Sequence, residues 1–135
     1  MPTPPDETLP IRTGDDVVRV RQEVRKRAAA VALSIVDQTR VVTAASELAR
    51  NTLEYGGGGT ATVQTLSEGA RRGVRVTFED HGPGIPDIEL ALKDGYTSGG
   101  GLGLGLGGAR RLCNEFHIES APGRGTRVVI ARWKL

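Results

Sequence analysis

The chain has 135 residues, enough for one domain with its own core and too few for two comfortable ones. Charged residues make up 25% and hydrophobic ones 38%, as in soluble globular proteins, while a net charge of +2 gives no electrostatic footprint for nucleic acid. The aromatics (Tyr55, Phe78, Tyr96, Phe116 and Trp133) form no stacking cluster. No apolar run reaches the length of a membrane span, and the start, MPTPPDETLP, lacks the features of a signal peptide. Neither a nucleic acid nor a membrane is therefore expected as a partner, and a cytoplasmic location is the default.

Residues 1–8, rich in Pro and acids, read as a flexible tail, and Leu9 to Arg12 as a short strand. Thr13 or Asp15 can cap a helix running to about Leu33, with Val17, Val20, Val24, Ala28 and Val31 on one stripe. A second helix is expected after Asp37, with Val41, Ala45, Leu48 and Thr52 on its apolar side. The run Gly56–Gly59 stops it. The period then changes to two, giving strands at Thr60 to Leu66 and Gly73 to Asp80. A glycine-rich loop follows, then a helix from about Leu104 to Asn114. Phe116 to Ser120 and Thr126 to Trp133 close the chain as a hairpin. The lone Cys113 falls on a stripe with Leu106, Ala109 and Phe116, so a buried, reduced thiol is expected. This order predicts an α+β two-layer sandwich, a mixed, mostly antiparallel sheet with helices on one face.

Gly103-Leu104-Gly105-Leu106-Gly107-Gly108 matches G-x-G-x-x-G, yet no strand precedes it and no βαβ unit surrounds it. A dinucleotide fingerprint needs both, so that reading falls; a P-loop falls as well, because no Lys follows a glycine. What remains is a glycine lid ending at a helix N-terminus, where free N–H groups suit phosphate. The interleaved Leu102, Leu104 and Leu106 argue for a segment that packs rather than a plain linker.

Two further features carry chemistry. Val74, Val76 and Phe78 share one strand face, and Asp80 extends that row towards the side the helices cover. A carboxylate there needs a donor. An adenine amino group would serve, with Gly82 and Gly84 letting the ligand approach the backbone; an Asp-capped turn is the plain alternative. Glu47 and Asn51, four apart on a helix, lie one above the other. Such a pair suits a Mg²⁺ shared with phosphates, or a carboxylate that deprotonates an attacking hydroxyl. A surface Glu and Asn at the helix rim is the alternative when the pair is taken alone.

Glu47/Asn51, Asp80-x-Gly82-x-Gly84, Gly101-x-Gly103-x-Gly105 and Gly123-x-Gly125-Thr126, in that order, resemble the N, G1, G2 and G3 boxes of the GHKL ATPase superfamily. More closely, SELARN, the segment from Glu79 to Phe116 and the terminal GRGTRVVIARWKL resemble the RsbT-type serine/threonine switch kinases, over nearly all of residues 9–135. The resemblance implies a single Bergerat-fold kinase domain using ATP and Mg²⁺. Asp80 would bind adenine, Asn51 would hold the Mg²⁺, and Glu47 would be the catalytic base. Gly82, Gly84, Gly101, Leu102, Gly103, Leu104, Gly105 and Thr126 would complete the nucleotide site. It also implies STAS-domain substrates of the RsbS/RsbR type, and activation by partner switching of a PP2C-type phosphatase of the RsbU type in bacterial stress signalling. The alternative is an anti-sigma factor of the RsbW/SpoIIAB kind that acts mainly by sequestration. An autonomous histidine kinase is disfavoured, since neither His81 nor His117 has a helical acceptor context.

Overall fold

The computed structural model describes residues 3–93 and 105–134. In chain order they form β1 (Glu7–Ile11), α1 (Gly14–Ala30), α2 (Ile35–Glu54), β2 (Gly59–Glu68), β3 (Arg71–Asp80), α3 (Ile88–Ala91), α4 (Leu106–Arg111), β4 (Glu115–Ser120) and β5 (Thr126–Lys134). The five strands make one sheet in the order β1-β2-β3-β5-β4. Every neighbouring pair among them is antiparallel, so the parallel component of the expected mixed sheet is absent from the described residues.

The helices form as their spacing dictates, and their ends show what spacing hides. Thr13 caps α1 through a capping box with Asp16, whose carboxylate also accepts from Arg12 N–H at 2.8 Å. That bond, ahead of the smaller effects of Thr13 and Arg19, holds the Asp16 carboxyl below its ordinary value. The helix ends at Ala30 instead of running on to Leu33. Leu33 N–H donates to Ala28 C=O at 3.0 Å and Ala32 N–H to Ala29 C=O at 2.9 Å, a Schellman closure. It puts Ala32 at φ 63°, a conformation that favours glycine, so the sequence gives no stop signal there. Likewise α2 begins before Asp37. Ser34 is its cap, accepting from Asp37 N–H at 3.1 Å, and the first-turn residues Ile35 and Val36 lie off the apolar stripe, 75% and 58% exposed.

The core lies between α1 and α2 and one face of the sheet. Val17, Val20, Val24 and Ala28 of α1 and Val41, Ala45 and Leu48 of α2 are buried against Ala61, Val63, Val74, Val76, Phe78, Val128 and Ile130. Burial of this kind supplies about 1.5–3 kcal/mol per large aliphatic side chain and holds the two layers together. Strand β1 starts two residues earlier than expected: Glu7 and Thr8, assigned to the tail, pair with Val63 and Thr62. Trp133 occupies the opposite sheet face, where its Nε1–H donates to Glu115 at 2.7 Å and Arg71 stacks 4.1 Å from the ring centre.

β4 lies at the sheet edge, and β5 returns between it and β3. The topology therefore brings three strand ends together, with Thr126 paired to Asp80 on one side and to Ser120 on the other.

Candidate functional site

Asp80 stands at the end of β3, on the face that carries Val74, Val76 and Phe78. Its Oδ1 accepts from Gly82 N–H at 2.9 Å, the geometry of an Asx turn. Burial pushes the Asp80 carboxyl above its ordinary value, opposed by the N–H groups of Gly82 and Thr126 and the neighbouring His81. A carboxylate in such surroundings is poised to accept from a ligand donor.

The backbone around Asp80 is packed too closely for side chains. A Cβ on Gly56 would stand 2.5 Å from Asp80 Oδ2, and one on Gly82 would stand 2.8 Å from the Gly56 backbone. Gly84, at φ 78°, backs onto the Ala121 carbonyl, and Gly125, at φ 76°, onto that of Asp80. Gly123 N–H donates to Pro83 C=O at 2.7 Å, and the Tyr55 hydroxyl donates to Gly84 C=O at 2.8 Å. The two glycine loops and the end of α2 thus lock against one another around one carboxylate.

Sequence reasoning missed Ser120, whose hydroxyl organises this corner. It accepts from Ile85 N–H at 2.8 Å and donates its single proton to Gly125 C=O at 3.0 Å. The 2.8 Å contact between Ser120 Oγ and Thr126 Oγ1 must then be a donation from Thr126. Thr126 Oγ1 is left as an acceptor beside Asp80. Gly56 was also missed, read only as part of a helix stop. A serine at a strand end and a glycine inside a glycine run carry no signal of their own.

Asp80 and Thr126 share an apolar slot of about 20 Å³ with Leu48, Asn51, Thr52, Tyr55, Phe78, Ile85, Leu106 and Val128. Beside it the same two residues border an open, charged groove of about 410 Å³ that includes His81, Arg124 and Arg127. The slot is the ring-binding candidate, because apolar walls enclose a few convergent polar groups there. Its present volume holds about one water, so the slot must widen to take a ring, and Leu106 of the short α4 is one of its walls.

Glu47 and Asn51 lie one turn apart on α2, half-buried, with Asn51 on the wall of the slot. A Cβ on Gly105 would stand 2.9 Å from Glu47 Oε2, so the start of α4 meets the candidate base. The other end of α4 lies near the start of α2, since Arg132 bridges Leu112 C=O and Asp37. Hence α4 runs antiparallel along α2, from Glu47 back towards Asp37. It is shorter than expected because Gly105, at φ 59°, turns the chain in and Asn114 N–H already pairs with Ala131.

The structure thus brings Glu47, Asn51, Asp80, Gly82, Gly84, Gly105 and Thr126 to one site; Gly101, Leu102, Gly103 and Leu104 lie outside the described residues. Cys113 is half-buried and its thiol is pushed up to about 12 by burial, against the pull of Arg132, which makes it a poor nucleophile. Phe116, expected on its helical stripe, belongs to β4.

The family of histidine kinase-, DNA gyrase B-, and HSP90-like ATPases matches residues 36–135. The chain is 42% identical over 123 residues to the serine/threonine-protein kinase RsbT of Bacillus subtilis (strain 168), covering 91% of this chain and 92% of that protein. It is 30% identical over 99 residues to the anti-sigma F factor of Clostridium novyi (strain NT), covering 70% and 69%. Two solved structures share the fold. The RsbU and RsbW domains of a Mycobacterium tuberculosis protein match with a TM-score of 0.63 at 21% identity, over 98% of this chain and 34% of that one. The catalytic domain of the histidine kinase ThkA matches with a TM-score of 0.56 at 18% identity, over 93% and 95%.

Proposed function

This chain belongs to the histidine kinase-, DNA gyrase B-, and HSP90-like ATPase family, and within it to the RsbT-type serine/threonine kinases; from that premise we propose that it phosphorylates a STAS-domain protein and switches partners as it does so. The observation that carries the reading is the slot itself, where Asn51 of α2 and Asp80 of β3 line one cavity and Glu47 stands one turn away, beside Gly105.

The residues present fit a purine nucleotide. Asp80 and Thr126 Oγ1 both face a ligand as acceptors, as an exocyclic amino group requires, and Leu48, Phe78, Ile85 and Val128 offer apolar walls to the ring. Gly56, Gly82 and Gly84 let the backbone close tightly around Asp80 and so fix where its carboxylate stands. Asn51 would hold the Mg²⁺. Among the described residues no three His, Cys, Asp or Glu side chains cluster as metal ligands, so phosphate and water would supply most of the coordination, as magnesium prefers. When bound, Mg·ATP supplies the transferable phosphoryl group. Glu47 would orient the acceptor hydroxyl and take its proton as the new P–O bond forms and the bond to ADP breaks.

The acceptor would be a serine or threonine on an RsbS- or RsbR-type STAS protein. Release from it would free the kinase to activate a PP2C-type phosphatase of the RsbU type, in the cytoplasm. No described helix is long and apolar enough to cross a membrane. The second reading, sequestration of a sigma factor, has the likeness to the anti-sigma F factor in its favour.

Incubation with γ-labelled Mg·ATP and a STAS-domain protein encoded nearby tests the choice. Acid-stable, base-labile label on the partner is the expected result. Nucleotide binding and partner capture with no label would favour sequestration instead.

A further inference from the structure

The helix that meets Glu47 cannot hold its position unaided. α4 is six residues long, contains Gly107 and Gly108, and has no side-chain cap at its N-terminus, where Gly105 takes a left-handed turn. An isolated helix that short is unstable in water, and two glycines weaken it further. Its place depends on what grips it. Leu106 and Ala109 are each 2% exposed, Leu112 and Cys113 pack against the core, and a guanidinium from the sheet reaches the C-terminal end of the helix.

Arg132 lies on the helix-facing side of β5, in register with Val74. Its Nη1 donates to Leu112 C=O at the C-cap of α4 at 3.3 Å, and its Nη2 pairs with Asp37 Oδ1 in the first turn of α2 at 2.8 Å. A cation at a helix C-terminus and a carboxylate at a helix N-terminus each oppose the local dipole charge, so both contacts are favourable. The side chain is only 12% exposed, and its Nε is buried with no partner among the described residues. That orphaned donor is costly, and a well-packed apolar side chain would stabilise the core at least as well. What an apolar residue would lack is direction: the guanidinium hydrogen-bonds the end of α4 and the start of α2 at once.

We propose that Arg132 is a positioning residue for the nucleotide site. By tying the end of α4 to the start of α2, it sets where Gly105 stands against Glu47 and where Leu106 stands as the wall of the slot. Leu106 is one wall of the slot, so the hold on α4 tunes nucleotide affinity from the far end of the helix. This deepens the kinase reading and rests on it for the identity of the ligand.

The test is a titration of the full chain with a fluorescent adenine nucleotide and Mg²⁺, with no acceptor protein present, followed by the ATP dependence of phosphotransfer. Arg132→Met should change the nucleotide Kd and the KM for ATP by about tenfold in the same direction, with kcat altered less than threefold. Asp37→Asn should shift Kd the same way, and the double variant should go no further than Arg132→Met. Arg132→Lys keeps the charge but not the two-armed geometry and should fall between wild type and Arg132→Met. If Arg132→Met does not fold, Arg132→Lys and Asp37→Asn carry the test. A folded variant of lowered melting temperature with the wild-type Kd would overturn the proposal, as would strictly additive effects. The kinase reading fails separately, when wild type binds nucleotide yet transfers nothing.

Discussion

At the Asp80 end of the site, backbone meets backbone: Gly56 on Gly82, Gly84 on Ala121, Gly125 on Asp80, with Ser120 tying three chain segments together. At the Glu47 end, a six-residue helix with two glycines lies along α2, packed through Leu106 and Ala109 and reached at its far end by Arg132. The first is over-determined, since no atom there can move without displacing several others. The second is held by side-chain packing and a few hydrogen bonds rather than by interlocked backbone. A nucleotide enzyme profits from both, because a base needs a fixed pocket while the phosphate side must admit and release its ligand. The difference teaches that the two ends of the candidate site are built by different means, one by close backbone contact and the other by side-chain packing.

Chemistry should break the comparison most sharply. Glu47→Ala removes the candidate base and touches neither anchor of α4, so phosphotransfer should fall about 10³-fold, ~4 kcal/mol of transition-state stabilisation. Single-turnover transfer at saturating ATP measures this. A loss under fivefold would remove Glu47 from the base role.

Leu106→Ala probes the weakly held end. A buried leucine truncated to alanine costs up to about 5 kcal/mol where the surroundings cannot collapse. Because α4 is short, uncapped and carries two glycines, it should collapse onto the gap, and the cost should fall near the low end of the usual range of about 2–5 kcal/mol. Urea denaturation reads it. A cost at the top of that range would mean that α4 is as rigid as the sheet.

The smallest effect sharpens the account far from the site. Ala32 sits at φ 63°, so Ala32→Gly should stabilise the chain by about 1 kcal/mol with nucleotide affinity unchanged. Destabilisation on the same denaturation assay would contradict the Schellman geometry assigned to that turn.

Much of the fold was legible because burial imposes a period. The valine stripe of α1, the stripe from Val41 to Thr52 and the alternation from Val74 to Phe78 all face the core as the spacing requires. The element ends were less legible. Ala32 adopts a glycine conformation without being glycine, and the second helix begins at Ser34's cap, before its apolar stripe does. At the candidate site, Asp80 stands out in the sequence because a charge at the end of an apolar row is conspicuous. Ser120, Gly56 and Arg132 do not. Each acts through partners distant in sequence, and pairing of that kind is set by strand order, which no local pattern encodes.

The central claim is that Asp80 recognises the base and Glu47 serves the chemistry. Nucleotide titration of wild type, Asp80→Asn and Glu47→Ala across pH tests it most directly. Because burial raises the Asp80 carboxyl, protonated Asp80 favours the folded, ligand-free chain; that contribution is present below the unfolded value of 3.8 and is lost as pH rises through the folded value. Wild-type affinity should accordingly weaken on acidification at a pH above that of an ordinary aspartate. Asp80→Asn should bind about 100-fold more weakly, ~2.7 kcal/mol, and lose that dependence, while Glu47→Ala stays within about twofold of wild type. Wild-type affinity in Asp80→Asn, or equal losses in both variants, would contradict the account.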